Sequence, residues 1–307
     1  MNKFTIYEKW MGFKSHFKGN PLFFSFVRTI KYRMIRKIEI KFRIIASSVI
    51  CKLKTRGIIR INDNDKKLLS LKDSHCGEMA FIIGNGPSLR SEDLSILHEN
   101  KIYTFASNRI NRIFSKTEWR PNCYLAIDFN LCTNSDNTLN EIFASNIDLY
   151  AFSRELYGGL SNEQKSDKVI YCNILPSDYF LDREIFGTNP ALYFGNGFTV
   201  TYFAIQLAVY MGFKKICLMG VDCNYSNVQS RDGRIHTDRS VKTYFDSNYD
   251  KSNKNTAFID GMLLSYQAAQ EYALSKGIEI VNVSPSSKLE IYRKVELESF
   301  LSSQLGK

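Results

Sequence analysis

The sequence predicts an α/β fold, a Rossmann-like and mostly parallel sheet with helices on both faces, preceded by a basic helical arm. Three observations predict it. From residue 78 onward, short apolar runs alternate with helical segments, the pattern of βα units feeding a parallel sheet. Runs such as "FII" and "ICLMG" are apolar without alternation, as befits strands covered on both faces. The charge is also divided: residues 1–60 hold 15 Lys and Arg against two Asp and Glu, although the whole chain is only +10. The basic character therefore belongs to the arm, and the body is slightly acidic.

Within the arm, residues 20–50 read as a helix. Val27, Ile30, Met34, Ile38 and Ile45 fall near one face, with Lys31 and Lys41 at its edges, where long stems can snorkel. Such a helix suits an anionic membrane surface, and equally a packing site on the body or on a second copy. Residues 61–77 are polar and read as a linker. "DND" at 63–65 has the outline of a sugar-nucleotide metal motif but precedes the first strand, so it is set aside.

The body, residues 78–307, opens with strand "EMAFIIG", helix "SLRSEDLSILHE" and strand "KIYTFASN". "PNCYLAID", "IDLYAFS" and "KVIYCNIL" read as further strands, with "LNEIFAS" helical between the first two. Residues 176–196 are irregular. "FTVTYFAIQLAVYMGF" is apolar nearly all round and so is a buried helix. It leads into strand "KKICLMGVD". Residues 224–255 have few apolar positions and read as a long loop or lid. "AFIDGMLLSYQAAQEYALSKG" is a helix ending in glycine, "IEIVNVS" a last strand, and 286–304 an amphipathic tail.

Composition excludes several classes. The seven Cys are odd in number, without a CxxC pair, and Cys123, Cys172 and Cys217 sit in apolar runs. This is the usage of buried, reduced thiols, not of a disulfide framework or a zinc site. No apolar run of transmembrane length occurs, and the N-terminus lacks the outline of a signal peptide.

Open α/β sheets bind ligands beyond the carboxyl ends of their strands, so the residues there are the site candidates. After the first strand come Gly84, Asn85, Gly86 and Ser88, after the second Asn108, after the third Asp128, and after "ICLMG" Asp222 and Tyr225. A second glycine turn, "FGNGFT" at 194–199, opens the buried helix and supplies Gly197 and Thr199. Two glycine turns before helix starts can offer amides and a positive dipole end to a phosphate; each can also be no more than a tight turn. Neither matches the dinucleotide fingerprint or the P-loop. Asp222 suits either a ribose hydroxyl or the bracing of a loop. Of the four His, only His236 lies in the polar segment after a strand end. It is a candidate general base, or a solvated loop residue. The absence of HExxH, of clustered Cys and His, and of DxD in the body argues against a required metal.

"FIIGNGPSL", "FASN", "GFTVTYFAIQLAVYMGFKKICLMGVDCNY" and "GIEIVNVSPSSKLE" occur in that order. Over roughly residues 78–292 the chain resembles the MptE-like domain-of-unknown-function 115 proteins and the related bacterial lipo-oligosaccharide sialyltransferases. The sialyltransferase resemblance implies a CMP-sugar donor and no catalytic metal. It also implies nucleotide contacts from Gly84, Asn85, Gly86, Ser88 and Asn108, donor contacts from Gly197 and Thr199, and a phosphate contact from Tyr225. That family's catalytic His has no counterpart in "TYFDSNYDKSNKNT", leaving His236, Tyr249 or Asp250, or a different chemistry. The archaeal MptE-type pterin pyrophosphokinase is a further relative; it would use ATP and magnesium, with Asp128 and Asp222 as its carboxylates.

The expectation is a metal-independent, sialyltransferase-like glycosyltransferase without a cofactor. It would move a sugar from a CMP-activated acidic donor to a surface glycan or glycolipid. The arm would hold it at the inner face of the cell membrane, with no nucleic-acid partner and with homo-oligomerisation left open. A pterin or nucleotide pyrophosphokinase is one alternative; a non-catalytic, membrane-associated nucleotide binder is another.

Overall fold

The computed structural model describes residues 35–133, 137–177, 183–252 and 255–306. Its central sheet comprises β1 (Met79–Ile83), β2 (Tyr103–Ser107), β3 (Cys123–Ala126), β4 (Leu149–Ser153), β5 (Val169–Cys172), β8 (Lys215–Met219), β11 (Glu279–Asn282) and β12 (Arg293–Lys294). The order is β12-β11-β8-β1-β2-β3-β4-β5, and every neighbouring pair is parallel. Two small sheets stand apart: parallel β6 (Ile174–Leu175) with β7 (Phe194–Gly195), and antiparallel β9 (Asn227–Gln229) with β10 (Ile235–Thr237). The helices are α1 (Arg36–Thr55), α2 (Asp63–Leu71), α3 (Ser91–Glu99), α4 (Asn130–Thr133), α5 (Thr138–Ala144), α6 (Val200–Met211), α7 (Ser247–Ser252), α8 (Ile259–Ser275) and α9 (Leu297–Leu305).

Side chains alternate across a strand, and the apolar strands use both directions. Ala80 and Ile82 of β1 join Ile216 and Leu218 of β8 in a core covered by α2, α6 and α8. Phe81 and Ile83 join Cys217 and Met219 in a second core covered by α3, α5 and α9. The unbroken apolar runs are thus two buried faces of one sheet. Apart from Val200 and Val209, every residue of α6 is buried. Its single amide, Gln206, accepts from the backbone N–H groups of Gly187 and Gly195, both at 2.7 Å, and donates to the Gly195 carbonyl at 2.9 Å. A polar group in an apolar core is thereby satisfied, and the turn leading into α6 is held against that helix.

Residues 61–77 differ from the expected linker. Asn62 caps α2 in a reciprocal capping box with Asp65, Leu68 is buried, and Asn64 replaces a missing strand partner at the sheet edge. Its side chain accepts from Tyr171 N at 2.7 Å and donates to Tyr171 O at 3.0 Å. A short amphipathic helix with one buried leucine is too weakly patterned to stand out from a polar segment. The 224–255 stretch likewise carries the β9–β10 ribbon and α7. In the arm, Val27, Ile30, Lys31 and Met34 lie outside the described residues, whereas Ile38 and Ile45 are exposed on α1. Among the described residues no helix is long and apolar enough to cross a membrane.

Candidate functional site

In the sheet order, the chain runs outward from β1 on one side through β2 to β5, and on the other through β8 to β12. The switch point is therefore between β1 and β8, and a cleft opens at their carboxyl ends, where ligands of such sheets bind. It is lined by the turn after β1 (84–86), Ser107 and Asn108 after β2, 199–201 at the start of α6, 220–225 after β8, and Thr243 with Tyr244 from the lid. Its volume is about 100 Å³.

The two glycine amides of the turn are engaged by the end of β8 and the loop after it. Gly84 N donates to Met219 O at 2.7 Å and Gly86 N to Gly220 O at 2.8 Å. Ser88 N and the Ser88 hydroxyl both donate to the Asp222 carboxylate, at 2.8 and 2.5 Å. Ser284 and Ser287 tie the same loop to the end of β11, accepting from Gly220 N and donating to Val221 O. The glycines serve close approach: a Cβ on Gly84 or Gly86 would collide with the Gly220 carbonyl, and on Gly86 also with Asp222. The two glycines thus strap two loops together, and Ser88 and Asp222 are the buckle. An amide run read from sequence alone carries no information about which carbonyls the neighbouring loop will bring.

What faces the cleft is mostly hydroxyl and amide. Thr199 caps α6, accepting from Thr201 N at 3.3 Å. This helix end brings two threonines and the positive end of the dipole to one wall. Burial raises the pKa of Tyr266 of α8 well above its ordinary value, an effect that Thr199 and Thr201 partly oppose. Burial raises the pKa of Tyr225 well above its ordinary value, reinforced by Tyr266 and Cys223. Burial, aided by Tyr249 and opposed by Arg109 and Arg112, raises that of Tyr244. These phenols stay protonated at neutral pH and remain hydrogen-bond donors. Asn85 donates to Ser107 O at 3.0 Å, and its buried Oδ1 has no partner, an acceptor placed for a ligand hydroxyl or amine. Asn108 and Cys223 hold left-handed backbone, with φ of 57° and 50°. Such strain collects at ligand sites. Of the 16 lining residues none is Lys, Arg or His, and Asp222 is the one acid.

The remaining candidates are not gathered at the cleft. Asp128 is exposed, and its carboxylate accepts from Asn130 N at 2.9 Å, starting α4. Gly197 has φ of +59° and packs against Tyr202 and Ser265. His236 is exposed on β10, away from the lining. Asp250 accepts from Thr243 N and Tyr244 N, both at 3.0 Å, bracing the lid instead of facing a ligand. The Arg109 and Arg112 guanidiniums both contact the Tyr249 ring, each 4.8 Å from its centroid. Arg112 also pairs with Asp246 at 2.9 Å, and Phe245 N donates to Asn85 O at 3.0 Å. Together these contacts hold the lid over the cleft. Sequence reasoning missed Thr201, Thr243 and Tyr244. The two threonines of "FTVT" at a helix start were the available signal for the first; lid residues give none before they are folded back.

A family model described as 6-hydroxymethylpterin diphosphokinase MptE-like matches residues 56–228. The chain belongs to the MptE-like family. No curated protein matches it. Among solved structures, the MptE-like chain is similar to the MAf glycosyltransferase from Magnetospirillum magneticum AMB-1, with 15% identity and a TM-score of 0.45. That likeness covers 77% of this MptE-like chain and 38% of the other protein, so the chain spans well under half of its neighbour's length.

Proposed function

We propose that the protein is a glycosyltransferase that takes a sugar from a nucleotide-activated donor, a CMP-linked acidic sugar in the first instance, to a membrane-borne surface-glycan acceptor. One observation carries this reading. The switch-point cleft offers hydroxyls, amides and the start of α6, with no pair of free carboxylates. A diphosphokinase using magnesium-bound ATP would call on Asp128 and Asp222, but the first is exposed outside the cleft and the second is engaged by Ser88. In a glycosyl transfer the acceptor hydroxyl oxygen bonds to the sugar's anomeric carbon and gives its proton to a base or to solvent, while the bond from that carbon to the donor phosphate breaks and charge grows on the departing phosphate. The α6 dipole, Thr199, Thr201 and the Tyr225 and Tyr244 phenols supply donors for that charge.

A cleft of about 100 Å³ holds a phosphate group, whereas ligand pockets for whole small molecules run to roughly 300–1,000 Å³. Binding a nucleotide sugar therefore requires the 224–255 segment to lift, releasing the Phe245–Asn85 and Arg112–Asp246 contacts. A thermal-shift panel of CMP, UDP, GDP, ADP and ATP, with and without magnesium, tests the reading. CMP should stabilise the protein without magnesium. Stabilisation by ATP with magnesium alone would refute the proposal in favour of phosphoryl transfer.

A further inference from the structure

Helix α1 carries an apolar stripe that no element among the described residues buries. Ile35, Ile38, Phe42, Ile45 and Val49 recur at spacings of three and four, so they share one face of the helix. They are 58, 67, 70, 62 and 49% exposed, whereas Ile40 on the opposite face is buried. The cations of the helix divide along the same line. Arg36, Arg43 and Lys54 flank the stripe on one side and are paired with Glu39, Glu155 and Asp65. Lys37 and Lys41 border it on the other flank, and Lys52 and Arg56 extend its C-terminal end, all four exposed and without an ion pair among the described residues. An apolar face bordered by unneutralised lysine and arginine matches the interface of an anionic bilayer, with hydrocarbon at its centre and phosphate at its rim.

The other candidate occupant is a second copy. The three-four spacing is that of a coiled-coil seam, but Lys52 and Arg56 continue the same line. A parallel partner would set these cations against each other, and an antiparallel one would set them against Ile35 and Ile38. Both arrangements bury charge without a counterion. A lipid surface takes the apolar residues and the cations together.

We propose that α1 docks the protein on an anionic membrane through this stripe and its lysine flank. The helix lies beside Ser153, Glu155 and Asn173, at the carboxyl ends of β4 and β5. This is the end of the sheet where the cleft opens, so docking brings the cleft to the bilayer side. The inference extends the proposed membrane-borne acceptor, yet its test reads lipid binding alone. A chain that docks but transfers nothing refutes the proposed reaction and leaves the docking intact.

The test is co-sedimentation of the full chain with phosphatidylcholine vesicles, with and without phosphatidylglycerol. Binding should require the anionic lipid and weaken as salt is raised. The pairs Phe42→Ser with Ile45→Ser, and Lys41→Glu with Lys52→Glu, should each lower the partition coefficient about tenfold or more, with an unchanged melting temperature because all four side chains are exposed. Equal binding to both vesicle types, or variants that bind like the wild type, would overturn the proposal. So would a dimer in sedimentation velocity that the Phe42→Ser, Ile45→Ser pair dissociates, since the stripe would then be a copy-to-copy interface.

Discussion

Replacing Gly86 by Ala separates a strap from a phosphate cradle. Gly86 does not hold a left-handed φ, so alanine costs nothing in backbone conformation and the outcome turns on space alone. The added Cβ would lie 2.7 Å from Gly220 O and 2.8 Å from Asp222 Cγ, and against Asp222 Oδ2. Neither obstacle is the free end of a flexible side chain: one is a backbone carbonyl and the other a carboxylate held by two hydrogen bonds from Ser88. The two loops must move apart. That loosens the Gly86–Gly220 bond, worth about 1 kcal/mol, and weakens charge-assisted bonds worth about 1.5–3 kcal/mol each. The expected loss is about 3 kcal/mol in urea unfolding, or about 5–10 °C in melting temperature. Gly158→Ala is the control, because a Cβ there meets nothing within 4 Å and φ is not left-handed; it should change stability by less than about 1 kcal/mol. If Gly86→Ala keeps wild-type stability and loses only nucleotide affinity, the strap is wrong and the turn is a cradle after all.

Thr199→Ala removes the cap of α6 and should cost about 1 kcal/mol, together with about tenfold in CMP affinity by calorimetry if that helix end meets the phosphate. Arg112→Ala removes the ion pair with Asp246 and one cation from the Tyr249 ring, contacts worth about 1–2 kcal/mol together; proteolysis within 224–255 should quicken about tenfold. Burial raises the Asp246 pKa, but the Arg112 hydrogen bond and the Asn248 and Tyr249 amides outweigh it and leave the carboxyl below its ordinary value. A depressed pKa means that the stabilisation is complete above the unfolded carboxylate value of about 3.9 and is lost as pH falls through the folded one. Wild-type lid proteolysis, measured with an enzyme of known pH response, should therefore be level from about pH 5 to 8 and rise only in stronger acid. Thiol titration should find exposed Cys76 reacting first. Burial raises the thiol pKa of Cys123, Cys172 and Cys217 and pushes that of Cys223 up to about 12, so these four should react only on unfolding.

The α/β class, the strand sequence and the buried α6 were legible because burial writes itself into composition. A strand covered on both faces must be apolar throughout, as "ICLMG" is, and a helix in the core must be apolar all round. The candidate cleft followed from the same reasoning, since strand ends are marked where apolar runs stop at Gly84, Asn108 and Gly220. The α2 helix was less visible, because its support comes from Asn64 at an edge strand more than 100 residues away.

The sequence by itself determined that glycines, hydroxyls and amides gather at the carboxyl ends of a parallel sheet, since local pattern places each strand's end. Only the tertiary structure decided which of those groups remain available to a ligand. The Gly84 and Gly86 amides are taken by Met219 and Gly220, Ser88 and Asp222 engage each other, Asp250 braces the lid backbone, and Tyr249 lies under Arg109 and Arg112. Thr199, Thr201, Tyr225 and Asn85 face the cleft. The physical reason is that a hydrogen-bonding group's partner is set by whatever distant segment packs beside it, and no local pattern encodes that neighbour.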